Sequence, residues 1–348
     1  MKTKNLLFLI LIMGLVLECG QFKRRARGDF NALSVICSLE DWVEIKDLIG
    51  ETFEKEVSVP QTEKTMLVYH TEPEQWALRK KERNIVFIST LNSSGTMRTF
   101  IEGMLSAESR KGVEEGEYFY FLKEDVWANG QSVLFLVAKD METLKSKIIE
   151  NKYLLYSLVE SKVREWVSYS IYHLGYNEEE NAYLLENNNF TFNVPYDYHK
   201  FMNEEENFFL FRKWEPDRMI FFYFQDAGTD SKVDSLWVLN TRDDLCSKYF
   251  DEAVVDRVNI GINSEVVGFL GRKAIRTSGL WKNDKKIIGG PFINYSFFDE
   301  EESKIVMIDL AVFNPNIQSS SKAPYLRQLE VIARTFKFKN EVKEAASE

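Results

Sequence analysis

The run SGLWKNDKKIIGGPFINYSFFDEEESKIVMIDLAVFNP, Ser278 to Pro315, decides the fold of the C-terminal half. With the residues before it, its aromatic and β-branched positions divide into three strands, Arg272 to Lys282, Ile287 to Phe298 and Lys304 to Phe313. Alternation on the middle strand sets Ile293, Tyr295 and Phe297 on one face and Phe292, Asn294, Ser296 and Phe298 on the other. Gly289-Gly290-Pro291 stands at its start. Gly290 precedes a proline and is steered to an extended conformation. Pro291 cannot donate a ladder hydrogen bond and belongs at a strand start, edge or bulge. The expected structure is a bulged entry into a central strand, packed beside Trp281. The competing reading is a groove with Trp281 and Tyr295 on its wall and the amides of Gly289 and Gly290 at its rim.

Working outward, Phe190-Thr-Phe-Asn-Val-Pro195 opens the second half, and Asn207 to Trp214 and Met219 to Gln225 continue it as strands. Ile220-Phe-Phe-Tyr-Phe224 is too apolar for a half-exposed strand, so both its faces are expected to be covered. Leu236 to Phe250 reads as a helix carrying Arg242, Asp243 and Asp244. Tyr325, Leu326, Leu329, Ile332, Ala333 and Phe336 mark a closing amphipathic helix, followed by a charged tail over 339–348.

The first half follows a similar grammar. Ala32 to Cys37, Met66 to His70 and Ile85 to Ser89 read as strands. Ser38 with Asp41 three positions on is a capping signature for a helix lined by Trp42, Ile45, Leu48, Ile49 and Phe53. A helix is expected from Met97 to Ala107. Tyr118 to Trp127 and Gln131 to Ala138 form a hairpin about Asn129-Gly130. A long helix starts at Asp140. Glu178 to Glu180 and Asn187 to Asn189 bracket a polar boundary, giving domains at 31–178 and 186–338. Both read as an antiparallel-rich sheet packed by helices, so the expected class is α+β with two domains.

The N-terminus supplies an address. Lys2 and Lys4 precede the apolar run Leu6 to Leu17, too short to span a bilayer and right for the h-region of a signal peptide. Cys19 follows at once, where a bacterial lipoprotein is cut and acylated, although Glu18 stands where a small residue is usual. The expectation is a signal peptide over 1–18, lipidation at Cys19 and a tether over 19–30. Lys23, Arg24, Arg25 and Arg27 in that tether either add attraction to anionic headgroups or form a solvated linker. Cys37 and Cys246 fall in different expected domains and read as two buried free thiols.

At 348 residues and a net charge of −10, the chain is not expected to bind nucleic acid through bulk electrostatics. His70, His173 and His199 are isolated, the cysteines lack metal-ligand spacing, and there is no glycine-rich phosphate loop or nucleophile elbow. No catalytic residue, metal ligand or cofactor is therefore assigned. Arg242, Arg276 and Arg327 join Trp281, Gly289, Gly290, Pro291 and Tyr295 as candidate groove residues. The alternative for the arginines is structural pairing with Asp243, Asp244 or Glu330.

Gly279-Leu-Trp281, Gly289-Gly-Pro-Phe292 and Tyr325-Leu-Arg-Gln-Leu-Glu330 resemble domain of unknown function 4837, a family of Gram-negative lipoproteins with no established activity. Arg242-Asp243 and, in the first half, Asp125-Val-Trp-Ala128 with Gly130-Gln131 look like it too, over roughly Asp29 to Phe338. The second half also resembles the PsbP/Mog1-type sandwich, which is a fold-level analogy. The resemblance implies a lipid-anchored envelope protein, on the outer membrane and facing the periplasm. Its role would be non-catalytic binding or assembly, with a protein, glycan or lipid partner. The alternatives are an envelope hydrolase with a dispersed active site and a carrier of a hydrophobic ligand.

Overall fold

A computed structural model describes residues 23–345, apart from 60, 94, 204, 206, 229–231, 259–260 and 315–320. The expected signal peptide and Cys19 lie outside the described residues. The chain is α+β and divides into two units. The first runs to Phe53 and resumes as Met66–Val159; the second comprises Glu54–Thr65 and everything from Glu160 onward. The division between these units falls inside a helix, Lys152–Tyr172. Glu178–Asn188 is itself a helix, capped by Asn177, whose side chain accepts the amide of Glu180. A run of polar residues marks a solvated helix face as readily as a linker.

In the first unit, β1 (Ala32–Ile36) is followed by α1 (Leu39–Phe53). Ser38 caps α1 as expected, its Oγ accepting the Asp41 amide at 3.1 Å. A hairpin, β2 (Glu56–Val59) and β3 (Gln61–Lys64), then leaves for the second unit. The first unit continues through β4 (Leu67–Thr71), α2 (Trp76–Arg79), β5 (Asn84–Thr90), α3 (Thr96–Met104), α4 (Ala107–Glu114), β6 (Tyr120–Glu124), β7 (Ser132–Ala138) and α5 (Met141–Glu150). The sheet order is β4-β1-β5-β7-β6. β1 runs parallel to β4 and β5, β5 runs parallel to β7, and only the β6–β7 hairpin is antiparallel. The antiparallel excess of the chain thus lies in the second unit. β5 and β7 are buried along their whole length, the signature of parallel strands covered on both faces. Phe87, Phe135, Met97, Ile101 and Val113 form one core under α3 and α4.

The second unit begins within α6 (Lys152–Tyr172) and continues through α7 (Glu178–Asn188), β8 (Phe190–Thr191), β9 (His199–Asn203), β10 (Phe208–Lys213), β11 (Asp217–Asp226), α8 (Ser235–Tyr249), β12 (Val254–Val255), β13 (Asn263–Phe269), β14 (Arg272–Asn283), β15 (Ile288–Asp299), β16 (Lys304–Phe313), α9 (Ala323–Ala333), β17 (Lys337–Phe338) and α10 (Lys339–Ala345). Its main sheet has eight strands in the order β12-β14-β15-β16-β11-β10-β9, with β13 also on β14. β11 separates two cores. Ile220, Phe222 and Phe224 pack with Leu326, Leu329 and Ile332 of α9, while Met219 and Phe221 pack with Val238 and Cys246 of α8. Both faces of this strand are covered, as its composition requires.

The glycine-proline entry corrects an expectation. β15 pairs with β14 without interruption from Ile288–Asn283 to Phe297–Ala274, so there is no bulge. The glycines answer to close approach. A Cβ on Gly290 would lie 2.0 Å from the Val312 carbonyl oxygen, and one on Gly289 would lie 2.5 Å from that of Trp281. Pairing with β16 begins only at Phe292–Ala311, immediately after the proline that lacks a donor.

The β2–β3 hairpin is tied into the second unit through Glu63. Its carboxylate accepts the amides of Lys322 and Ala323 at 2.8 and 2.9 Å, at the start of α9, where Lys322 provides no side-chain cap of its own. A carboxylate there also complements the positive end of the helix dipole. Glu63→Ala is expected to lower stability by about 1–2 kcal/mol. An unchanged midpoint in urea unfolding would show that the cap is dispensable. The expected charged tail from Lys339 is helical as α10, with Glu341 accepting the Phe338 amide at 2.7 Å. The described part of the expected tether, from Lys23, lies against the first unit: Ala26 is only 3% exposed and its amide donates to the Asn129 carbonyl.

Candidate functional site

α8 crosses one face of the large sheet and leaves a cavity of about 230 Å3 between itself and the strands. Its apolar wall includes Met219, Phe221, Trp281, Ala311 and Phe313, residues that alternation turns toward α8. Arg242 enters from the helix. Its Nε donates to Asp309 Oδ2 at 2.8 Å and its Nη2 to Oδ1 at 3.2 Å. The guanidinium carbon lies 3.9 Å from the centre of the Phe292 ring. Asn294 Nδ2 donates to the same carboxylate at 2.9 Å, and Ser296 Oγ supports Asn294 at 2.7 Å. Burial presses the Arg242 guanidinium down, but Asp309, with Cys246 and Asp243 adding to it, holds it above its ordinary value.

Two donors are left over. Arg242 Nη1 and Trp281 Nε1 are buried and have no hydrogen-bond partner among the described residues. Both residues line the cavity, with Arg242 1% exposed and Trp281 7% exposed. A buried N–H without an acceptor costs roughly 1–3 kcal/mol, so such a pair marks a place that an acceptor completes. Cys246, one turn beyond Arg242, also lines the cavity; burial pushes its thiol up to about 12. It is therefore a neutral wall group at pH 7. Toward the mouth, Arg212 Nε pairs with Asp217 at 2.7 Å and Lys286 pairs with Asp251. Each of the three lining cations thus has its own carboxylate.

The sequence-derived candidates separate onto the two faces of the sheet. Trp281 and Arg242 meet in the cavity. Gly290 lies behind the tryptophan, where an added Cβ would come within 3.2 Å of Nε1. Gly289 and Pro291 pair with Lys282 and Leu280 of β14. Tyr295, Arg276 and Arg327 belong to the opposite face. Tyr295 donates to Glu330, and Arg276 Nε donates to the tyrosine oxygen at 3.3 Å. Arg327 holds Glu160 of α6 at 3.1 and 3.0 Å and the Thr65 carbonyl at 2.9 Å. Burial, then Glu330, raises the Tyr295 hydroxyl, and Arg164 joins Glu160 and Glu330 in the same ionic network. The arginine partners expected from the sequence do not form these pairs: Asp243 instead binds Arg257 and the Val255 amide. Sequence reading missed Asp309, Asn294 and Cys246. The available signal was a lone carboxylate inside the apolar strand Lys304-Ile-Val-Met-Ile-Asp309-Leu-Ala-Val-Phe313, which requires a buried partner.

Residues 177–335, which contain the whole cavity, match the family profile described as Domain of unknown function (DUF4837). Over these residues the chain is similar to that family. Residues 26–168 match a different profile, Domain of unknown function (DUF8532). The first-half motif Asp125-Val-Trp-Ala128 is therefore part of the DUF8532 match, and the wider extent expected for the 4837 resemblance is corrected. No curated protein matches the chain. Among the described residues of both units, no group of three or more His, Cys, Asp or Glu side chains is placed to hold a metal ion.

Proposed function

We propose that the chain is a lipid-anchored protein of the cell envelope, held at Cys19 and facing the periplasm, whose DUF4837 unit is a non-catalytic binding module. The address rests on the N-terminal sequence. The binding reading is carried by the cavity with two unanswered donors, Arg242 Nη1 and Trp281 Nε1. Its charges are already matched, so a carboxylate ligand would bury a net negative charge beside Asp309, which costs several kcal/mol. The favoured ligand group is neutral, with an apolar body and an acceptor oxygen, as in an amide or ester. At about 230 Å3 the cavity is smaller than the roughly 300–1,000 Å3 of pockets that enclose a whole drug-sized ligand. It suits one group of a larger partner, which argues against a carrier of an entire hydrophobic molecule. The neutral thiol of Cys246 argues against a hydrolase that uses this thiol as its nucleophile.

Two measurements test this. Mass spectrometry of the mature N-terminus is expected to find acylated Cys19; an unmodified cysteine or an intact Met1 start removes the anchor. N-acetyl amino-acid amides and the corresponding free acids, titrated and followed by NMR, test the cavity. The amides are expected to bind and the acids to bind at least about tenfold more weakly. Trp281→Phe keeps the ring and removes one donor, which should weaken the amides about three- to tenfold. Preferential binding of the acids, or an indifferent Trp281→Phe, would reject the neutral-acceptor reading.

A further inference from the structure

The segment Lys23-Arg24-Arg25-Ala26-Arg27 is not a loose linker. The Asn129 amide donates to the Arg24 carbonyl at 2.9 Å, and the Ala26 amide returns to the Asn129 carbonyl at 2.8 Å. The Arg27 amide donates to the Lys81 carbonyl at 2.9 Å, and the Arg83 amide donates to Arg27 at 3.2 Å. Lys23 Nζ reaches the Asp125 carbonyl at 2.6 Å, and the Arg83 guanidinium binds the Gly28 carbonyl and covers the Phe30 ring. The segment is laid between the β6–β7 turn and the approach to β5. It therefore lies at the end of the first unit's sheet where β1, β5 and β7 begin.

This docking concentrates charge. The exposed Lys23, Arg24, Arg25 and Arg27 join Lys80, Lys81 and Arg83 at that end. Burial, then the nearby charge of Arg25, presses the Arg83 guanidinium down. The carboxylates in the same region are Asp29, Glu82, Glu124 and Asp125. Glu82 is paired with Arg79, and Asp125 accepts the amides of Gly130 and Gln131. A chain with a net charge of −10 thus presents one locally cationic end.

We propose that this end of the first unit is a membrane-facing surface that docks on anionic phospholipid headgroups. Its orientation rests on the proposed anchor. Residues 19–23 span at most about 14 Å, so an acylated Cys19 holds the docked segment within one or two Debye lengths of the bilayer, each about 8–10 Å. The charge complementarity does not depend on acylation. An acyl chain and a basic patch together form the two-signal attachment that makes membrane binding firm.

The experiment uses residues 19–348 with Cys19→Ser, so that no lipid is attached, and sedimentation with vesicles of phosphatidylcholine alone or with about a third phosphatidylglycerol. Binding is expected on the anionic vesicles only, falling steeply between low and physiological salt. Arg25→Glu with Arg27→Glu is expected to reduce the partition coefficient about tenfold or more. Because these changes touch a docked segment, Lys81→Glu, on the neighbouring loop, is a second variant and is expected to lower partition severalfold. Equal binding to both vesicle types, no binding to either, or charge reversals that change nothing would each overturn the proposal. The patch would then be left to an acidic macromolecule. N-terminal mass spectrometry reports the anchor separately, so failure of the anchor and failure of the surface are distinguishable.

Discussion

Asp309→Asn is expected to destabilise the protein by about 3–5 kcal/mol. The substitution keeps the shape of the side chain and removes its charge, leaving the Arg242 guanidinium buried with no counter-ion. The paired side chains are 2% and 0% exposed, so water cannot take over. Asn294 also loses its charged acceptor. Urea unfolding of the whole chain would show the loss as a lower midpoint. The double variant Arg242→Met with Asp309→Leu provides the contrast. Buried ion pairs replaced by apolar groups of similar volume are often neutral or stabilising, so it is expected to recover most of the loss. It would nevertheless bind amides in the cavity about three- to tenfold more weakly, because one of the free donors is gone. A fully stable Asp309→Asn would mean that Arg242 finds another partner, and that the cavity is not organised as described.

Gly290→Ala is expected to cost about 3 kcal/mol or more. One extra methyl group in a packed interior ordinarily costs about 1–3 kcal/mol. Here the Cβ would stand 2.0 Å from a backbone carbonyl oxygen on β16, which cannot swing aside as a flexible side chain can. The strand entry would have to shift and would carry Trp281 with it, so amide binding should fall as well. Gly268→Ala on β13 is the control: nothing lies within 4 Å of its added Cβ, and stability should change by no more than about 0.5 kcal/mol. If both alanine variants unfold at the wild-type midpoint, the close approach at Gly290 is not what the glycine serves.

Much of the second unit was legible because its signals are local. Alternation in Phe292 to Phe298 placed each side chain on its observed face, and the continuous apolar run of Ile220 to Phe224 required cover on both sides. The pairing of the first unit was less legible. A fully buried strand such as Ile85 to Ser89 reads alike whether its neighbours run parallel or antiparallel. Trp281 was found, but whether it closes a core or lines a cavity could not be read. It does both, and the difference depends on where α8 rests. The partner of Arg242 lies 67 residues away, beyond any pattern on one helix face.

The sequence by itself determined the α+β class, the positions of the long strands and closing helices, and the similarity of the second unit to the DUF4837 profile. These follow from periodicity, capping and short motifs, which are properties of neighbouring residues. Only the tertiary structure decided that Arg242 meets Asp309, that two residues with unpartnered donors line one cavity, that Glu63 caps a helix from a distant hairpin, and that Lys23 to Arg27 lie docked on the first unit. Those facts depend on register and on which surfaces meet across the sheet, and a local pattern that names a strand's face does not name what covers it.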